Sequence, residues 1–412
     1  MAILEGIIQN IIFLFRAAWW LLVPVSLFFI FADLWLNYVR TLTIRGISWT
    51  LLEIKIPKGI LKTPKAMEQV FAVAHGIQSF PPKFIDKYWK GKIAEWMSFE
   101  IVGYAGGVHF FVRMPSVYRN LVESAVYAQY PDAEIKEAED YTEIVPSILP
   151  NDSLELFGTN LILAKEDAYP IQTYPYFEAQ VEEQRLDPIA SLAEVMSKLK
   201  EGEMVWLQYL VRPTGDEWKK KGEELVDKLM GKSKSKKRGW IEDAVVFIKN
   251  LIHAPVVPPE WPEEKAKESS PGQLSHGKQD VIKAIENKIG KLGFETMIRF
   301  VYIDNKDRFS RANIAAVFGA FRQFNTQNMN ALRPDMETMT VARGLFKKRK
   351  EYAKKRRIFM AYKNREMFGK FSILSTEEMA TIYHFPGISV GAPMLKPVES
   401  KRGGPPPELP VE

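Results

Sequence analysis

Apolar and polar residues alternate with a period of two in several short runs, and between those runs apolar residues recur at helical spacing. Leu51 to Ile56 (LLEIKI), Ser98 to Tyr104 and Val108 to Met114 carry the strand pattern, and Ala105-Gly106-Gly107 joins the last two as a hairpin. After the first strand, Thr63 caps a helix with Pro64 at its first position, and Met67, Val70, Phe71 and Ala74 line one face. After the hairpin, Pro115 and Ser116 stop the strand and cap a helix whose apolar stripe is Tyr118, Leu121, Val122, Ala125 and Val126. Pro131 ends that helix, and Ala133 to Ala138 returns as a strand. The predicted order over residues 46–140 is β-α-β-β-α-β, a ferredoxin-like unit, with residues 79–96 extending the join between its first helix and the hairpin.

A linker with two prolines, residues 141–153, precedes a second pass through the same order. Leu154 to Ala164 reads as a strand. Asp187-Pro188 opens a helix with Ile189, Leu192, Ala193, Val195, Met196 and Leu199 as its apolar residues. Met204 to Val211 and Phe294 to Ile303 read as strands, Ser310 caps a helix, and Met329 to Leu332 supplies a short last strand. The fold class is therefore α+β, with a second ferredoxin-like unit at 154–340 that repeats the first in topology and not in residues. Its middle strands are separated by an insertion, 213–291. This holds a charged helix (Asp216 to Met230), the basic run Gly231 to Arg238, an amphipathic helix (Trp240 to Ile252), a polar stretch at 254–277 and a further helix (Lys278 to Leu292).

Residues 1–45 follow neither period. Ala17 to Ala32 is uncharged, and the apolar run continues past Asp33 to Tyr38. A span at about 17–38 has roughly nineteen helical steps between its aromatic ends, about 28 Å, the thickness of a bilayer's hydrocarbon core. Trp19 and Trp20 at one end and Trp35 and Tyr38 at the other are placed as interfacial anchors. Before the span there is only Arg16, and residues 1–15 hold no Lys or Arg, whereas Arg40, Arg45, Lys55, Lys58 and Lys62 follow it. The positive-inside rule thus predicts a single-pass protein of the cytoplasmic membrane with the bulk of the chain in the cytoplasm.

Residues 341–386 hold a basic helix and a short helix capped by Ser375; a Pro/Gly-rich tail fills 387–412. The basic helix carries Lys347, Lys348, Arg349, Lys350, Lys354, Lys355, Arg356 and Arg357, and Leu345, Tyr352 and Phe359 fall seven apart as an apolar seam. The favoured expectation is a solvated cationic helix packed on protein along that seam. Contact with anionic lipid or a partner comes next, and phosphate contact with nucleic acid last.

Chemistry is sparse. The 412-residue chain has a formal net charge of +6 and no cysteine, which excludes disulfides, thiol nucleophiles and Cys-type zinc sites. Gly231-Lys232-Ser233 is the one Gly-Lys-Ser, but Val226 stands where a phosphate loop needs its first glycine, and a charged helix precedes it. No G-x-G-x-x-G follows a strand and no G-x-S-x-G turn occurs. His75, His109, His253, His276 and His384 are scattered, and Glu137, Glu139 and Asp140 read as a solvated strand end. The expectation is no enzyme, no catalytic constellation, no metal and no cofactor.

Residues 52–76, 99–135 (FEIVGYAGGVHFFVRMPSVYRNLVESAVYAQYPDAEI), 169–178 (YPIQTYPYFE) and 315–334 (AAVFGAFRQFNTQNMNALRP) resemble the N-terminal membrane-anchored region of type IV secretion-like, conjugative-type ATPases. Residues 399–412 look like the linker that leads into the motor there. The resemblance implies a RecA-like motor after Glu412, outside this sequence, so ATP hydrolysis does not carry over. It implies a membrane-anchored scaffold that binds lipid and a protein partner, either a separate motor ATPase or further copies of itself. A nucleic-acid-binding membrane protein using residues 343–357 and a split N-terminal half of such an ATPase are the alternatives.

Overall fold

The computed structural model describes residues 2–57, 62–78, 83–104, 106–177, 187–231, 275–367 and 369–387. The basic run from Lys232 to Arg238, the helix expected at Trp240 to Ile252, most of the polar stretch 254–277 and the tail from 388 lie outside them. So does the side chain of Trp19.

A 45-residue helix, α1 (Ala2–Gly46), leads into the body. Among the described residues, its segment Val23–Gly46 is long and apolar enough to cross a membrane, with a mean hydropathy of 1.3. Trp20, Trp35 and Tyr38 are exposed on it. The body is α+β and is built on one large antiparallel sheet. Its strands are β1 (Trp49–Lys55), β2 (Met97–Tyr104), β3 (Gly107–Pro115), β4 (Glu134–Glu137), β5 (Leu154–Leu163), β6 (Met204–Pro213), β7 (Gly293–Asn305), β8 (Leu332–Pro334) and β9 (Ser372–Ser375). They lie in the order β4-β1-β3-β2-β6-β7-β5-β8, with β9 added to the start of β7.

The two predicted halves are thus not separate. Strand β2 of the first pairs with β6 of the second along its whole length, from Met97 opposite Val211 to Tyr104 opposite Met204. Nothing in either strand's own pattern announces that partner, because an edge strand and an inner strand read alike when both faces are buried.

Alternation then divides the sheet into two faces. Phe99, Ile101, Phe110, Val112, Leu207, Tyr209 and Phe300 meet α2 (Pro64–Ala74), α4 (Arg119–Gln129), α5 (Ala190–Ser197), α8 (Arg311–Phe321) and α10 (Thr376–Ile382). Thr63, Ser310 and Ser375 cap three of these helices as expected, the last in a reciprocal capping box with Glu378. Leu121 is half-buried against this core, whereas Phe110, Val112 and Val126 are fully inside it. The insertion contributes α6 (Glu217–Leu229) and α7 (His276–Ile289), which close a small core of their own with Trp218, Val226 and Ile285.

On the opposite face Val102, Phe111, Leu156, Trp206 and Val301 are covered by residues 141–149 and by α9 (Lys347–Lys363). The C-terminal elements are therefore integral. Tyr383, just past α10, sets its ring 5.2 Å from Phe99 and 5.8 Å from Tyr209, bridging the β2–β6 seam. The short α3 (Phe84–Tyr88) stands apart from the sheet, against α1.

Candidate functional site

The centre of the second face carries a row of polar residues. Glu100 on β2 faces Gln208 on β6, and Gln208 faces Arg299 on β7. All three are buried. Each is the one long polar side chain pointing into an otherwise apolar strand core, a signal visible in EIVGY, WLQYLV and MIRFVYI but not used in the sequence reading above. Burying such groups is costly unless every one is paired. Arg299 Nη1 donates to Gln208 Oε1 and to the Ala361 carbonyl, each at 2.8 Å. Gln208 Nε2 donates to Glu100 Oε1 at 3.0 Å and to the Tyr362 carbonyl at 3.1 Å. Ser98 and Tyr141 hydroxyls donate to Glu100 at 2.6 and 2.7 Å, and the Tyr362 hydroxyl lies 2.8 Å from that of Tyr141.

Arg365 closes the network. Its guanidinium spans Glu100, with Nε 3.1 Å from Oε1, and Asp140, with Nη2 3.0 Å from Oδ1. Arg365 sits just beyond α9 with φ of 50°, in the left-handed region where glycine ordinarily ends a helix. The amide of Glu366 reaches back to the Ala361 carbonyl at 2.9 Å, which caps the helix. An arginine tolerates this backbone because the two carboxylates hold its side chain. Asp140, expected at a solvated strand end, is instead half-buried and bound to Arg365.

Electrostatics follow the geometry. Burial opposes ionisation of Glu100, but the Arg365 charge and the hydroxyl donors hold its carboxyl below the usual range. Burial likewise opposes the charge on Arg365, yet Glu100 and Asp140 hold its pKa well above normal. Among the described residues no carboxylate touches Arg299, and burial, only partly offset by the charge of Glu366, pulls it down to about 10.

This network fixes α9 across the sheet. Ile358 and Phe359 pack beneath it, and a Cβ on Gly158 would come 2.9 Å from Ile358 Cγ2, so β5 needs glycine there for the helix to seat. The seam predicted from Leu345, Tyr352 and Phe359 does not form. Residues 341–346 are not helical, Leu345 is 81% exposed, Tyr352 is 44% exposed, and only Phe359 is buried. The buried set is Ile358, Phe359 and Tyr362, because a single α-helix packed on a flat sheet follows the 3.6-residue period rather than a seven-residue seam.

The eight cations divide as well. Lys354 Nζ donates to the Met336 and Met339 carbonyls at 3.2 and 3.1 Å, and Lys355 pairs with Glu155 at 2.9 Å. Lys347, Lys348, Arg349, Lys350, Arg356 and Arg357 are exposed. Four of these crowd the first turn of α9, where the helix dipole is positive and cations are unfavourable, and no side chain caps that end. The arrangement produces a concentrated positive field beside exposed Leu345 and Phe346.

That end of α9 lies far from α1. Strand β1 starts just past α1, and the Trp49 ring lies 5.2 Å from that of Trp96, the residue before β2. Met97 is level with Val211 and hence with Thr296. Lys355 is tied to Glu155, level with Asp304. From Thr296 to Asp304 the strand advances about 27 Å at about 3.4 Å per residue, and Lys347 lies about 12 Å further along the helix.

Two histidines each meet one carboxylate. His109 Nδ1 lies 2.8 Å from Glu53 Oε1, and His384 Nε2 lies 2.9 Å from Asp187 Oδ1. Among the described residues no group of three or more His, Asp or Glu side chains converges as metal ligands do.

The chain is therefore an α+β protein with an apolar N-terminal helix, one large antiparallel sheet and a cationic helix pinned across it. Residues 44–395 match a domain of unknown function, DUF8128, and the chain belongs to that family. A comparison with curated proteins gives no match.

Proposed function

We propose that this protein is a non-enzymatic, single-pass membrane-anchored scaffold of a type IV secretion-like or DNA-transfer machine, holding a separate motor ATPase at the cytoplasmic face. The carrying observation is polarity. The apolar helix leaves one end of the sheet, and the exposed cationic turn of α9 stands near the opposite end, about 27 Å along β7 and beyond. A surface so placed faces away from a bilayer that holds α1, which favours an acidic protein partner over lipid. The basic residues that follow the span support a cytoplasmic body. The strand orders β4-β1-β3-β2 and β8-β5-β7-β6 support reading each half as a ferredoxin-like unit. The sequence resemblance supplies the type of machine.

One observation favours nucleic acid as a second reading: Tyr352 and Phe346, exposed beside the cations, offer rings on which bases could stack. Affinity capture of the intact protein from cross-linked membranes separates the two. A motor ATPase lost on reversing Lys348, Arg349 and Lys350 to Glu supports the scaffold. DNA binding whose log affinity falls with log salt at a slope of roughly −4 to −5, abolished by the same reversal, would replace it with the nucleic-acid reading.

A further inference from the structure

Helix α3 and its flanks, residues 83–92, carry an apolar surface that the body does not use. Phe84 is 75% exposed, Ile85 68% and Trp89 75%. Five residues of helix are too few to stand alone, and the segment is held by α1 instead. Trp35 Nε1 donates to the Tyr88 carbonyl at 2.9 Å, and Thr43 Oγ1 donates to the Lys90 carbonyl at 3.0 Å. Gly91, at φ of 59°, presses so closely on α1 that a Cβ would come 2.6 Å from the Val39 backbone. The Trp89 ring lies 6.3 Å from that of Trp35. Exposed Trp89 is thereby set beside Trp35 of α1, and Phe84 and Ile85 are exposed on the same short helix.

Charge surrounds this surface. Lys83, Lys87, Lys90 and Lys92 fall within the segment against a single acid, Asp86, which pairs with Lys90 at 2.9 Å. Apolar tips ringed by lysines, locked to the end of a helix long enough to cross a bilayer, match the interface of an anionic membrane.

We propose that residues 83–92 form a second membrane contact, with Phe84, Ile85 and Trp89 inserted at the headgroup level of an anionic bilayer and the lysines on its phosphates. This rests on α1 spanning that bilayer and goes beyond it. A lone span leaves the body free to swivel about the helix axis, whereas a second contact fixes the plane of the sheet relative to the membrane.

The absence of cysteine makes the test direct. The full chain carrying Ile85→Cys, labelled with an environment-sensitive fluorophore, is reconstituted into phosphatidylcholine–phosphatidylglycerol vesicles. Leu27→Cys serves as the span control, and Met336→Cys, exposed on the body, as the solvent control. Expected are a blue shift at position 85 with loss of emission to doxyl groups near the headgroups, loss at position 27 to doxyl groups deep in the acyl chains, and no change at position 336. Loss at 27 with a water-like signal at 85, or at 89 in Trp89→Cys, would overturn the second contact and leave the span standing. No loss at 27 would overturn the span itself and this proposal with it. Equal signals at 85 in vesicles without phosphatidylglycerol would overturn the assignment to anionic lipid.

Discussion

Arg365 concentrates the energetics of the second face in one residue. Its backbone occupies a glycine position and its side chain neutralises two carboxylates, so two effects of a substitution have opposite sign. Arg365→Gly relieves the backbone but leaves Glu100 buried and unpaired. The second effect is larger, and a loss of about 3–5 kcal/mol is expected in a urea melt. Adding Glu100→Gln to Arg365→Gly should recover part of that loss; independent, additive losses would show that the pair is not coupled. The same groups set the acid limb of stability. Glu100 and Asp140 titrate below their ordinary values of 4.5 and 3.8 when folded. Their contribution is full above those values and is lost as pH falls through the lower folded ones. His75, buried against Gly293, is also held below its ordinary 6.5, so its contribution starts to decline below that pH. Melting temperature should therefore fall from about pH 6.5 downward, and more steeply below about 4.5. A flat profile between about pH 6.5 and 5 would contradict the His75 shift, and a profile that stays flat below about 4.5 would contradict the network.

At the scale of the element, α9 breaks the rule for helix ends. Four cations in its first turn oppose the dipole, so acidic replacements should stabilise the fold while removing the field. Lys348→Glu with Arg349→Glu is expected to raise stability by about 0.3–1 kcal/mol per site and to weaken capture of an acidic partner. Lys347 is left in place because Glu351 stands 3.9 Å away. In contrast, Lys355→Glu should destabilise, since it sets two carboxylates against each other beside Glu155. Indistinguishable melts for the two variants would mean that the exposed and the paired cations are equivalent.

At the scale of the whole molecule, the β2–β6 pairing decides how the chain can be divided. Residues 46–140 alone would expose all of β2 as an open edge, a row of unpaired amides and carbonyls. That fragment is expected to associate, with β2 meeting its own copy antiparallel about a two-fold axis. A monomer by light scattering at micromolar concentration would count against this. Deletion of residues 1–33 should release the chain from membranes while keeping Trp35, Val39 and Thr43 against residues 83–92. Retention in the membrane pellet after a high-salt wash would show that α1 is not what holds the chain in the membrane and would overturn the single-span anchor.

The elements themselves were legible in the chain. Period-two runs placed β1, β2, β3, β5, β6 and β7 to within two residues at each end, and Thr63, Ser310 and Ser375 marked their helices, because alternation and capping are local physics. The long apolar helix was legible for the same reason. Tertiary structure alone decided the rest. The edge-to-edge union of the halves depends on which strand lies beside which, and buried strands read alike. The row of Glu100, Gln208 and Arg299 is assembled from residues some hundred positions apart that meet only through strand register. The failure of the Leu345–Tyr352–Phe359 seam has the same origin. A helix's pattern states which residues are apolar, but the surface that receives the helix determines which of them are buried.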